Sequence, residues 1–152
     1  MSDIKYIKAT KADIELLMDI RLEMLREVNN SPDSYKYDKE FIDECKKYFE
    51  EGDQTTILAL DGKEVVGCAS ISYIWIMPTF SHPTGNRAHL MNVYTKPDYR
   101  RKGISKRMVE IIIDEAKDNG VTEISLDSTE MGRPLYEALG FTASNECMVM
   151  EL

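Results

Sequence analysis

Polar and apolar residues alternate over residues 4–9, with Ile4 and Tyr6 set against Lys5 and Lys8. A period of two predicts a first strand. From Ile14 the spacing changes, and Ile14, Leu17, Met18, Met24, Leu25 and Val28 recur three and four apart. That is the period of a helix, with Thr10 and Asp13 as its start signal and Asn29, Asn30, Ser31 and Pro32 as its end. A second helix is predicted over 38–51, with Phe41, Ile42, Cys45 and Phe49 on one side and Gly52 as its stop. Strands follow over 55–60 and 64–77, joined by Asp61 and Gly62, a hairpin signal. A third run, 88–95, reads as a strand, and 105–119 as a helix that ends at Gly120. A strand over 121–127, a short helix over 134–139 and a closing strand over 141–151 complete the chain. The order is βααβββαβαβ. A strand, a helix and a strand in succession imply a parallel crossover, while the Asp61-Gly62 hairpin implies antiparallel pairing. The expected fold class is therefore mixed α/β (α+β), one sheet with helices on both faces, in a single domain over residues 1–152.

Composition narrows the partners. The net charge is −8. Nucleic acid needs a basic surface, so it is not the expected partner. Cys45, Cys68 and Cys147 are odd in number, far apart and without a CxxC spacing, and His82 and His89 form no cluster with them. Neither a disulfide framework nor a metal site is expected, and a reducing cytoplasm fits. Asp3 and Lys5 interrupt the start, so no signal peptide is expected, and the apolar run 73–77 is too short to span a bilayer.

Against that acidic background, residues 96–107 read KPDYRRKGISKR and hold six of the nineteen basic residues, with Asp98 the lone acid. The segment lies between a predicted strand and a predicted helix. A helix start offers unpaired N–H groups and a partial positive charge, which together suit an anion. Gly103 permits close backbone approach, and Ser105 keeps the approach open. The segment matches neither the Walker A loop nor the dinucleotide glycine pattern. Another phosphate-cofactor protein, such as a nucleotide binder, is a competing reading of these residues alone.

The chain resembles the GNAT superfamily of acyl-CoA-dependent N-acetyltransferases. Their Arg/Gln-x-x-Gly-x-Gly/Ala signature stands here as Arg100-Arg101-Lys102-Gly103-Ile104-Ser105, after Thr95-Lys96-Pro97. Further on, Leu135-Tyr136-Glu137-Ala138-Leu139-Gly140-Phe141 is similar to the family's LYE-x-LGF helix. Ser105 replaces the usual Gly or Ala, and Thr95 an apolar β-branched residue. The resemblance implies a mostly antiparallel central sheet of six to seven strands. It also implies acetyl transfer from acetyl-CoA to a primary amine of a small molecule or peptide, without a metal. A non-catalytic CoA-binding regulatory module on the same fold is the alternative. Val93, Tyr94 and Thr95 would offer backbone groups to pantetheine, as an added strand would. Arg100, Arg101, Lys102, Gly103, Ile104, Ser105 and Lys106 would surround the pyrophosphate. Many relatives pair through their last strands, so a homodimer is possible.

Transfer to an amine needs a neutral nitrogen, a polarised carbonyl and a protonated leaving thiolate. Tyr136 matches the family tyrosine that protonates the thiolate. Asp127, at the end of a strand, is a candidate base or else a turn residue. His89 and Glu130 are further base candidates, or exposed side chains. The acceptor site is expected from 24–37 and 77–86, with His82 in the second of these. Tyr73 and Trp75 are expected in the core or the acceptor wall. Cys68 reads as a small buried residue rather than a nucleophile.

Overall fold

A computed structural model describes residues 3–144 and 146–152. Its elements are β1 (Ile4–Lys8), α1 (Ile14–Val28), α2 (Lys39–Glu51), β2 (Gln54–Asp61), β3 (Glu64–Trp75), β4 (Asn86–Thr95), α3 (Ile104–Asp118), β5 (Glu123–Leu126) and α4 (Arg133–Ala138). The start signal read at Thr10 is present. Its backbone N–H donates to Asp13 Oδ2 at 2.8 Å, and its hydroxyl accepts from the Ala12 N–H at 3.3 Å. This box caps a 3-10 turn, Lys11–Asp13, that runs into α1.

The five strands form one sheet in chain order. The first three pairings are antiparallel, and β4 pairs with β5 in parallel. The period of two sorts β2 between two cores. Ile57 and Ala59 face α3, which contributes Ile104, Met108, Val109, Ile112 and Ala116. Leu58 and Leu60 face α1 and α2, which contribute Leu17, Met18, Ile20, Met24 and Phe49. Where α3 crosses β3, a Cβ on Gly67 would lie 2.9 Å from the Tyr94 carbonyl oxygen and 3.0 Å from the Met108 side chain, so only glycine fits.

The mixed, mostly antiparallel sheet with helices on both faces is as expected, but among the described residues it has five strands rather than six to seven. The closing strand read over 141–151 is not formed among the described residues of that span. Asn145 lies outside them. Met148, Val149 and Met150 have a strand's composition, yet all three are exposed. A strand is defined by a partner, and here the run has neither ladder nor core to hold it. Of the two places expected for Trp75, the core is excluded, since the residue is 87% exposed. Tyr73 does pack against the α3-side core.

Candidate active site at the end of β4

β4 meets β5 only over Arg87 to Leu90, opposite Glu123 to Leu126. Beyond Leu90 the two strands part. Against β3, the register jumps from Ser70–Met91 to Cys68–Tyr94, so Asn92 and Val93 together oppose Ala69. This is a β-bulge, and Asn92 carries φ +58°. Lys96 N–H donates to Val66 O at 2.8 Å. Alternation along the strand then turns the backbone groups of Val93 and Thr95 away from β3, toward the side that β5 has left.

The basic segment follows. Arg101 has φ +62° and Gly103 φ +79°, flanking Lys102. A left-handed arginine costs about 1–2 kcal/mol. Successive N–H groups in such a turn converge on a concave anion site. The α3 ladder begins with Arg107 N–H to Gly103 O at 3.0 Å, so the N–H groups of Ile104, Ser105 and Lys106 precede it. Ile104 is buried and anchors the turn in the core. Ser105 Oγ bonds Thr95 Oγ1 at 2.6 Å, tying the helix start to the strand end.

The basic side chains divide. Arg101, Lys102 and Lys106 are exposed, with Lys102 over the Tyr99 ring at 5.4 Å. Arg100 turns the other way. Its Nε donates to Thr95 O at 2.8 Å, its NH2 pairs with Glu27 at 2.6 Å, and it lies over the Tyr94 ring. Arg100 thus links the loop to α1.

Tyr136, on α4, is half-buried and meets Phe141 edge to face with centroids 5.9 Å apart. Burial pushes its hydroxyl above the ordinary tyrosine value. Asp127 is fully exposed, and its Oδ2 lies 3.6 Å from His89 Nε2. The other nitrogen of His89 bonds Ser125 Oγ at 2.7 Å. The structure therefore brings two of the base candidates together, whereas Glu130 is simply exposed. His82 is occupied elsewhere, by Thr122 at 2.8 Å and Glu123 at 3.1 Å. Cys68 is buried, its thiol donates to Asn92 O at 3.2 Å, and burial pushes its pKa up to about 12, so it is no nucleophile.

Of the two expected acceptor segments, only the first reaches this end of β4. Asp19, Glu23, Glu27, Ser31 and Asp33 border a cleft of about 660 Å³ beside Tyr94. The 77–86 loop joins the opposite end of the strand, about 30 Å from Thr95 at roughly 3.3 Å per residue. The sequence, in which Asp33 already stands out as an acid that could attract a cation, does not single out Asp19, Glu23 and Glu27, nor the left-handed Asn92. An asparagine inside a strand, a residue type that tolerates positive φ, was the available signal.

Among the described residues no helix is long and apolar enough to cross a membrane, and no three His, Cys, Asp or Glu side chains are grouped to hold a metal.

Residues 17–141 match the profile of the acetyltransferase (GNAT) family. The chain is 34% identical over 90 residues to a glucosamine 6-phosphate N-acetyltransferase of Trypanosoma brucei brucei, covering 58% of each protein. It is 37% identical over 59 residues to the ribosomal protein bS18-alanine N-acetyltransferase of Escherichia coli strain K12, covering 37% of this chain and 40% of that one. The matches thus span little more than half of the first relative and less of the second. A solved structure of a predicted acetyltransferase with acetyl-CoA from Clostridium acetobutylicum superposes with a TM-score of 0.86 at 28% identity, covering 98% of this chain and 96% of that one. With the profile extending from α1 through α4 to Phe141, the chain belongs to the acetyltransferase (GNAT) family.

Proposed function

We propose that the chain is a single-domain N-acetyltransferase that moves an acetyl group directly from acetyl-CoA to a primary amine of a small molecule or peptide. The observation that carries this reading is the left-handed turn at Arg101 and Gly103, set at the start of α3 and at the end of a strand that β5 has left. One element supplies N–H donors and cationic side chains for a diphosphate, and its neighbour supplies a strand edge unpaired by β5 for pantetheine amides. The N–H groups of Gly103, Ile104, Ser105 and Lys106 hold the diphosphate, with Arg101, Lys102 and Lys106 adding charge. Arg100 contributes by holding Thr95 and the loop in place.

In the transfer step the amine nitrogen bonds to the thioester carbon as the carbon–sulfur bond breaks. A backbone N–H at Val93 polarises the carbonyl oxygen. The pair of His89 and Asp127 takes the amine's proton through water, and Tyr136 returns a proton to the leaving sulfur. Burial of Tyr136 favours the protonated phenol that this role needs. The relatives named above as N-acetyltransferases support an amine acceptor. Incubation with acetyl-CoA and a panel of amines, read by release of free thiol, tests the reading. CoA binding without turnover of any amine would instead favour a regulatory CoA-binding module.

The three free cysteines and the acidic surface support a cytoplasmic protein. The outer edge of β5 and the exposed Met148, Val149 and Met150 support pairing of two copies. Light scattering in solution checks the latter, and a monomer at micromolar concentration counts against it.

A further inference from the structure

A file of hydrogen-bonded side chains crosses the sheet beneath α1. Arg21 NH1 donates to Asn92 Oδ1 at 3.1 Å, and Asn92 Nδ2 donates to Ser70 Oγ at 3.1 Å. Ser70 Oγ and Thr56 Oγ1 are 2.7 Å apart. Thr56 donates to Gln54 Oε1 at 2.7 Å, and Gln54 Nε2 donates to the Phe49 carbonyl at 3.3 Å. Five side chains from α1, β4, β3 and β2 are thus joined end to end.

The chemistry of the two ends sets the direction. A guanidinium only donates, so Asn92 must turn its oxygen to Arg21 and its nitrogen to Ser70. A backbone carbonyl only accepts, so Gln54 must turn its nitrogen to Phe49 and its oxygen to Thr56. The single proton of Thr56 then goes to Gln54, which leaves the proton of Ser70 for Thr56. One arrangement satisfies every link.

Such a file is costly to interrupt. Thr56, Ser70 and Asn92 are only 1%, 3% and 9% exposed. A buried polar group left without a partner costs about 1–3 kcal/mol. The file also passes through a significant place. Asn92 is the left-handed residue of the β4 bulge, immediately before Val93. Its carbonyl is held as well, by the Cys68 thiol. Side chain and backbone of Asn92 are therefore tied from three directions.

We propose that the file is a positioning device, with Asn92 as the positioning residue that aims the Val93 N–H at the thioester carbonyl. This inference rests on the acetyltransferase reading above. Asn92 itself does not touch the reacting atoms. It holds the bulge in one conformation, and displacing a catalytic donor by about 1 Å can cost on the order of a hundredfold in rate.

The test uses the full chain and needs no acceptor. Acetyl-CoA labelled with carbon-13 at the carbonyl is bound to the wild type, Asn92→Gly and Ser70→Ala, and its carbonyl stretch is read by infrared difference spectroscopy. Calorimetry gives the affinity. Asn92→Gly can still adopt positive φ but loses both side-chain bonds. Ser70→Ala changes no residue of β4, removes the Asn92–Ser70 bond and serves if the first variant does not fold. In the wild type the band is expected below that of free acetyl-CoA. In each folded variant it is expected to move back toward the free value and broaden, with affinity essentially unchanged. With an acceptor in hand, kcat should fall about tenfold to a hundredfold while KM for acetyl-CoA holds. A wild-type band at the free position, or variant bands identical to a lowered wild-type band, would overturn the inference alone. Absence of acetyl-CoA binding to the wild type would overturn the acetyltransferase reading, and the inference with it.

Discussion

Ser105→Asp separates the stability of the free protein from its affinity for the diphosphate, because the new charge acts on the two with opposite sign. Ser105 is the second residue of α3, and its N–H precedes the helix ladder. A carboxylate there faces the positive end of the helix, which stabilises the free fold by about 0.3–1 kcal/mol. It can also accept from the Thr95 hydroxyl that Ser105 now meets. For a bound phosphate the same charge is repulsive. Two unit charges about 4 Å apart interact by about 1 kcal/mol in water and about 4 kcal/mol at an effective dielectric of about 20. The Kd for CoA should therefore rise by about fivefold to several hundredfold. At a ligand concentration about 100 times the wild-type Kd, CoA stabilises the wild type by about 2.7 kcal/mol. The variant at the same concentration keeps only about 0.1–1.7 kcal/mol. In a chain of this length each kcal/mol moves Tm by about 2–4 °C, so the difference is readable in a thermal shift assay. The predicted result is an unchanged or raised Tm without ligand and a much reduced CoA shift. An undiminished CoA shift would refute the placement of the diphosphate at this helix start.

Tyr136→Phe should lower kcat by about a hundredfold or more while KM for acetyl-CoA is preserved, as expected for loss of a proton donor. Because burial raises the Tyr136 pKa, the phenol stays protonated through neutral pH, and its loss governs only the alkaline limb of the rate profile. A wild-type limb falling below about pH 9 and absent in the variant would contradict that, since an unperturbed tyrosine titrates near 10. The Cys68 thiol, with its pKa pushed up to about 12, should resist an aromatic disulfide reagent at pH 8 until the protein unfolds, whereas exposed Cys147 reacts at once. Ile112→Ala empties a fully buried site between α3 and the sheet and should cost about 2–5 kcal/mol, a fall in Tm on the order of 10 °C.

Much of this molecule is readable where a single segment carries both the signal and its cause. The period of α1 and the Asp61-Gly62 turn are local properties, and each lies within a few residues of its predicted position. The phosphate loop is legible for the same reason, since charge, glycine and the change from strand to helix coincide within twelve residues. What escaped depends on distant partners. Residues 146–151 have the composition of a strand, but β5 presents no ladder to them. Arg100 reads as part of a cationic cluster, yet Glu27, 73 residues earlier, draws it to α1. Asn92 looks like an ordinary polar residue until Arg21 and Ser70 close around it. His89 and Asp127 were separate candidates for the base, and only the parallel pairing of β4 with β5 sets them side by side.

A crystal structure of this chain in complex with acetyl-CoA measures most directly where the diphosphate and the pantetheine arm sit. The predicted result has diphosphate oxygens within about 3 Å of the N–H groups of Gly103, Ile104 and Ser105, with the pantetheine amides running along Val93 and Thr95. A complex with the diphosphate away from the start of α3, or with pantetheine on another edge of the sheet, would contradict it.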